Sequence, residues 1–147
     1  MTSLSPVTAF EAELASRLRL GVTRLARRLR TQLPGELSPS QLATLSSVER
    51  LGPLTLGELS NTERVKPPTM TKIVGCLEEQ GLVSRTVDEK DRRVARVRAT
   101  GAGLRVLEES RQQKDAYLAE RLRALSAADR AALERAADVL ERLLEES

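Results

Sequence analysis

The 147-residue chain has no histidine, no tryptophan and a single cysteine, Cys76. An internal disulfide is therefore impossible, and zinc sites of the usual Cys/His kinds are excluded. Ser-His and Cys-His nucleophilic pairs are excluded as well. Phe10 and Tyr117 are the only aromatic residues, so a core must be built from Leu, Val and Ala. No long apolar run occurs near the start, where Glu11, Glu13, Arg17 and Arg19 interrupt the pattern. Neither a secretion signal nor a membrane span is readable. The expectation is a cytoplasmic chain with no membrane partner, no metal and no cofactor. Carboxylates are scattered over helix faces without a catalytic constellation, which argues against an enzyme.

What is present is local basicity. Lys and Arg number 24 against 21 Asp and Glu, a net charge of +3. Such a total is ordinary for a balanced surface. Between Gly81 and Thr100, however, stand six bases, Arg85, Lys90, Arg92, Arg93, Arg96 and Arg98, against three acids, Asp88, Glu89 and Asp91. The length suits one domain.

Along the chain, Phe10, Leu14, Leu18, Val22, Leu25 and Leu29 fall three or four apart, predicting a helix from about Val7 to Arg30. Leu33-Pro34-Gly35 ends it. Ser38-Pro39-Ser40-Gln41 reads as a capping box with proline in the first turn. Thr55-Leu56-Gly57-Glu58 reads as a second capping box, opening a helix to about Thr62. A third short helix runs from Pro67 or Pro68 to about Gln80, with Gly81 as its stop. The last two form a helix-turn-helix candidate. After Gly81 the apolar period drops to two. Leu82–Val87 and Val94–Ala99 read as a two-stranded hairpin with the polar tip DEKDRR. Thr100 then caps a helix to about Leu125, and Ser126 with Asp129 caps a last one carrying Leu133, Ala137, Leu140 and Leu144.

The third short helix has Met70, Ile73, Val74 and Leu77 on one face. Its other face shows Thr69, Thr71 or Lys72, Gly75 and Cys76, with no acid before Glu78. A helix entering a major groove needs short side chains, donors for base edges and no negative charge near phosphates. An ordinary solvated helix shows the same composition. The hairpin favours the first reading, because arginines at a projecting tip suit a narrow, strongly negative minor groove. Arg92 and Arg93 occupy that tip, and Arg85, Lys90, Arg96 and Arg98 can approach flanking phosphates. Asp88 and Asp91 look wrong beside phosphates, and Asp91 is read as bracing a nearby arginine.

At these residues the chain resembles the MarR (multiple antibiotic resistance regulator) family of winged helix-turn-helix transcriptional regulators. DEKDRRVARVRATGAG matches that family's wing signature at Asp88, Asp91, Arg93, Thr100 and Gly103. LTLGELSNTERVKPPTMTKIVGCLEEQGLV resembles its helix-turn-helix, with Pro68, Thr69, Thr71 and Lys72 in register. The resemblance covers nearly the whole chain and implies a mainly α fold with a small β-hairpin wing (α+β). Residues 38–100 would form the DNA-binding lobe, and 6–32 with 101–147 a helical dimerisation region within one domain spanning 1–147. It implies that Lys66, Pro68, Thr69, Thr71, Lys72 and Gly75 lie at the major groove. Arg85, Lys90, Arg92, Arg93 and Arg96 would serve the minor groove and phosphates, with Asp88 and Asp91 bracing them.

The implied partners are double-stranded DNA, a second copy of the chain and a small-molecule effector, although no residue specifies an effector. The implied activity is that of a homodimeric repressor on a pseudo-palindromic operator, bacterial and nucleoid-associated when bound. The dimer also has a separate basis. The terminal helices are long and amphipathic, with too little small-domain core to cover, so Phe10, Leu14, Leu18, Leu133, Leu140 and Leu144 are expected to meet a two-fold copy. Four positions depart from the family pattern. Glu63 and Arg64 stand where an apolar residue and glycine are common, Lys66 where a small cap is, and Ala99 where leucine is. A winged-helix protein–protein module without DNA binding is the alternative reading, and it predicts an apolar patch on the lobe instead of a basic tip. Cys76 is read as structural or incidental.

Overall fold

The computed structural model describes residues 5–31, 35 and 37–146. The chain runs α1 (Ala9–Thr31), α2 (Pro39–Leu51), β1 (Leu54–Thr55), α3 (Leu56–Glu63), α4 (Pro67–Glu79), β2 (Val83–Val87), β3 (Ala95–Ala99), α5 (Gly101–Arg123) and α6 (Ala127–Glu145).

Helix starts follow capping chemistry. The Ser38 hydroxyl accepts from the Gln41 backbone N–H at 3.2 Å, and the Gln41 side chain accepts from the Ser38 N–H at 3.0 Å. Thr55 and Glu58 repeat this exchange at 3.1 and 3.4 Å. Ser126 caps α6 through the Asp129 N–H at 3.1 Å. Each box satisfies orphan donors of a first turn, worth about 1 kcal/mol. A further box, not anticipated, opens α1: Thr8 accepts from the Glu11 N–H at 3.1 Å, and the Glu11 carboxylate accepts from the Thr8 N–H at 2.7 Å. That backbone hydrogen bond, then the one from the Thr8 hydroxyl, holds the Glu11 carboxyl below its ordinary value. The expected stop at Leu33-Pro34-Gly35 involves Leu33 and Pro34, which lie outside the described residues. Gly81, at φ 72°, ends α4 in a left-handed conformation that glycine adopts without penalty.

The hairpin predicted from the periodicity is present as β2 and β3, and the sheet adds a strand that was not expected: among the described residues it has three antiparallel strands in the order β1-β3-β2. Leu54 pairs with Val97 and Thr55 with Arg96, while β2 runs from Val83 opposite Ala99 to Val87 opposite Ala95. β3 is therefore central, and β1 anchors the β3 edge at the base of the wing.

Residues up to Glu108 form one compact unit and those from Glu109 a second; α5 belongs to both. Among the described residues, the core of the first unit is built from Leu45 and Val48 of α2, Leu59 of α3, Met70, Val74 and Leu77 of α4, Leu54, Val83 and Val97 of the sheet, Leu82 before β2, and Leu107 of α5. Leu45, Leu59, Met70, Val74 and Leu77 are fully buried, and each such side chain contributes roughly 1.5–3 kcal/mol of transfer free energy.

A clasp joins the wing to α5. Thr100 donates its hydroxyl to the Gly81 carbonyl at 2.6 Å and accepts from the Gly103 N–H at 3.1 Å. Its own N–H reaches the Leu82 carbonyl at 3.0 Å. In the second unit, the Arg130 guanidinium donates to the carbonyls of Leu122, Arg123 and Leu125, satisfying the C-terminal end of α5. Arg121 lies 3.5 Å over the Tyr117 ring. No helix among the described residues is long and apolar enough to cross a membrane.

Candidate nucleic-acid interface

α3 and α4 are joined by a turn that begins at Arg64, in the left-handed region at φ 54° and ψ 44°. This is the position where glycine is common in the resembled family. Glu63, the other departure at the turn, accepts a hydrogen bond from the Ser47 hydroxyl and so ties α3 to α2. Lys66 is the N-cap of α4 and makes no side-chain cap hydrogen bond.

α4 buries Met70, Val74 and Leu77, with Ile73 partly buried beside them. Its opposite face is open: Pro68, Thr69, Thr71, Lys72 and Cys76 are exposed. The Thr71 hydroxyl donates to the Pro67 carbonyl at 3.0 Å, which engages its one proton and leaves the oxygen free only to accept. A Cβ added at Gly75 would meet nothing within 4 Å. Packing within the chain therefore gives no reason for a glycine in mid-helix.

The wing tip is a built turn. Asp88 donates its backbone N–H to the Val94 carbonyl, and Val94 returns one to Asp91, at 2.9 and 3.0 Å. One Asp88 oxygen accepts from the N–H groups of Lys90 at 2.8 Å and Asp91 at 3.3 Å, and the other accepts from Arg96 Nη1 at 2.7 Å. The Arg96 hydrogen bond, then the two backbone donors, depress the Asp88 carboxyl below its ordinary value. Asp91 holds Arg93 through Nε at 3.0 Å and Nη2 at 3.2 Å, and it also accepts the Arg93 backbone N–H at 3.1 Å. Its carboxyl is likewise lowered, chiefly by the Arg93 side chain, and the Arg93 guanidinium is raised by the same contact. Arg93 nevertheless stays 90% exposed, so the brace aims the cation without covering it. Among the described residues, the side chains of Lys90 and Arg92 have no ion-pair partner.

Arg85 is placed differently from the other wing bases. Its Nε donates to the Glu78 carboxylate at 3.0 Å, linking β2 to the last turn of α4. Glu78 carries no role in the sequence reading, because nothing in the pattern pairs a helix's last turn with a strand seven residues on. The residues expected at a dimer surface lie on two helices without a fully buried residue, α1 and α6. Phe10, Leu14, Leu18, Leu133 and Leu144 are exposed, and Leu140 is half-buried. No group of three or more metal-ligating side chains is present among the described residues.

The MarR family profile matches residues 37–95, the span of the lobe from before α2 to the start of β3. The chain is 38% identical over 138 residues to a helix-turn-helix-type transcriptional regulator of Mycobacterium tuberculosis, covering 93% of this chain and 96% of that one. It superposes on a MarR family protein from Bacillus stearothermophilus with a TM-score of 0.71 and 30% identity, covering 96% and 99% of the two chains. A variant of Staphylococcus aureus MepR bound to an oligodeoxyribonucleotide shares the fold, with a TM-score of 0.66 and 19% identity over 91% of this chain and 98% of that one.

Proposed function

Since the chain belongs to the MarR family of helix-turn-helix transcriptional regulators, we propose that it is a homodimeric repressor that reads a pseudo-palindromic operator. It is a DNA-binding regulator and not an enzyme. α4 enters the major groove with Lys66, Pro68, Thr69, Thr71, Lys72 and Gly75 facing it. Arg93 enters the minor groove, while Lys90, Arg92 and Arg96 approach phosphates; Arg85, expected with them from the sequence, is engaged by Glu78. Residues 38–100 act as the reading lobe, and 6–32 with 101–147 as the dimerisation region. Release from DNA by a small-molecule effector in the cytoplasm fits such a regulator.

The observation that carries the reading is the braced but exposed Arg93, together with a helix face that bears no acid before Glu78. A guanidinium held in a fixed direction loses little freedom on entering a narrow groove, where the negative potential is strongest. Dimerisation is supported by the apolar stripes of α1 and α6, where Phe10 and Leu144 are 73% and 74% exposed. Stripes of that kind are stable when a second copy covers them. Two copies would set their α4 helices about one duplex turn, roughly 10 bp, apart.

Selection from a random duplex pool tests this reading. The wild-type chain is expected to retain an inverted-repeat motif, and Thr71→Ala to change its base preference. Sedimentation should give twice the chain mass. A monomer that enriches no motif overturns the reading.

A further inference from the structure

Among the described residues, three acid–base pairs hold the wing, and they are not alike. Asp91–Arg93 and Asp88–Arg96 lie inside the wing itself. Glu78–Arg85 crosses from α4 to β2. Arg85 sits opposite the buried Val97 in the sheet, on the same strand face as the buried Val83. Its side chain is thereby turned toward α4 and ends on Glu78 at 3.0 Å. Glu78 is the first acid of α4, on an element otherwise free of negative charge up to that point. An acid there repels duplex phosphates, so it needs a reason to be present. Stability is a poor reason, because the side chains of the pair are 34% and 44% exposed and exposed pairs contribute little.

We propose that Glu78 is a positioning residue for DNA reading: by holding the Arg85 guanidinium against the last turn of α4, it keeps that cation off the phosphates and fixes the wing strand relative to the helix. The proposal rests on the DNA-binding reading above and deepens it. Arg85 then differs in role from Lys90 and Arg92, whose charges are unclaimed. A freed Arg85 would add sequence-independent attraction to any duplex, since phosphate contacts carry no base information. Holding it back raises the share of binding that depends on sequence.

The test compares Glu78→Gln with the wild type on a short random-sequence duplex and in selection from a random pool. Glu79→Gln serves as a control, since it removes the same charge from the neighbouring residue and leaves the pair intact. Glu78→Gln should bind the random duplex about threefold more tightly, the scale of one exposed charge contact. Its plot of log affinity against log salt should steepen by about 0.9 per additional phosphate neutralised. Its selected motif should also carry less information than the wild type's, while Glu79→Gln keeps the wild-type motif. The swapped pair Glu78→Arg with Arg85→Glu should restore the motif. Arg85→Gln should lose motif strength with no steeper salt slope, which separates positioning from added attraction. An unchanged slope and motif in Glu78→Gln overturns the proposal and leaves the DNA-binding reading standing. A wild-type chain that retains no duplex at all overturns both.

Discussion

Two glycines in helices of this protein should respond to the same substitution with opposite signs. Gly103 lies in the first turn of α5, inside the Thr100 clasp. An added Cβ there would stand 2.2 Å from the Leu82 carbonyl oxygen, 3.1 Å from its carbon and 3.2 Å from Leu45 Cδ1. Two of these atoms are backbone, so a side-chain rotation cannot relieve the contact. Overpacking of this kind costs about 3 kcal/mol, at the upper end of its usual range. Displacing the Leu82 carbonyl also endangers its hydrogen bond from the Thr100 N–H, worth about 1 kcal/mol. The better helix propensity of alanine returns about 1 kcal/mol. Gly103→Ala should thus destabilise by about 3 kcal/mol net, lowering Tm by about 10 °C for a chain of this length. At Gly75 an added Cβ meets nothing within 4 Å, so Gly75→Ala should stabilise by roughly 0.5–1 kcal/mol. Because Gly75 lies on the face proposed to meet DNA, the same variant should bind duplex more weakly. Differential scanning calorimetry at equal protein concentrations gives both shifts. A Gly103→Ala variant as stable as the wild type, or a destabilised Gly75→Ala, would refute this packing argument.

Two further perturbations follow from the turn and the wing. Arg64 holds a left-handed conformation that costs an L-residue roughly 1–2 kcal/mol. Arg64→Gly should therefore stabilise by about 0.5–1 kcal/mol after the added freedom of the unfolded chain is subtracted; a fall in the urea midpoint would contradict this. Asp88 and Asp91 have folded-state pKa values depressed from 3.8 by their arginine partners and backbone donors. Depressed carboxyls stabilise the fold above the unfolded pKa, and the contribution is lost as pH falls through the folded value. The wing should stay ordered at pH 5 and loosen only below about pH 4. Carboxyl chemical shifts of Asp88 and Asp91 that titrate above the ordinary aspartate value would contradict the assignment.

Most of the helical frame was legible because short polar residues announce helix starts. Ser38/Gln41, Thr55/Glu58 and Ser126/Asp129 each sit where a cap must be, and Gly81 sits where a left-handed residue closes α4. β1 was not legible, since two residues between Pro53 and a helix start contain no alternation to read. Its role emerges only when Leu54 is found opposite Val97. The acids of the wing were legible as braces in general, but their partners depend on turn geometry and strand register. Asp88 finds Arg96, eight residues on, across the turn. Glu78 and Arg85 are brought together by the Gly81 turn between a helix and a strand. The capping box at Thr8 was present in the sequence as Thr-Ala-Phe-Glu and is recognisable by the same rule that found the others.

The central claim is that the exposed guanidinium groups of the wing tip meet polyanionic duplex. The most direct measurement is the salt dependence of duplex affinity, followed by fluorescence anisotropy between about 50 and 200 mM salt, for the wild type and for Arg92→Ala with Arg93→Ala. The double variant should bind more weakly to every duplex, and its log–log slope should be shallower by about 0.9 for each phosphate that it no longer neutralises. Superimposable lines for the two proteins would contradict the claim.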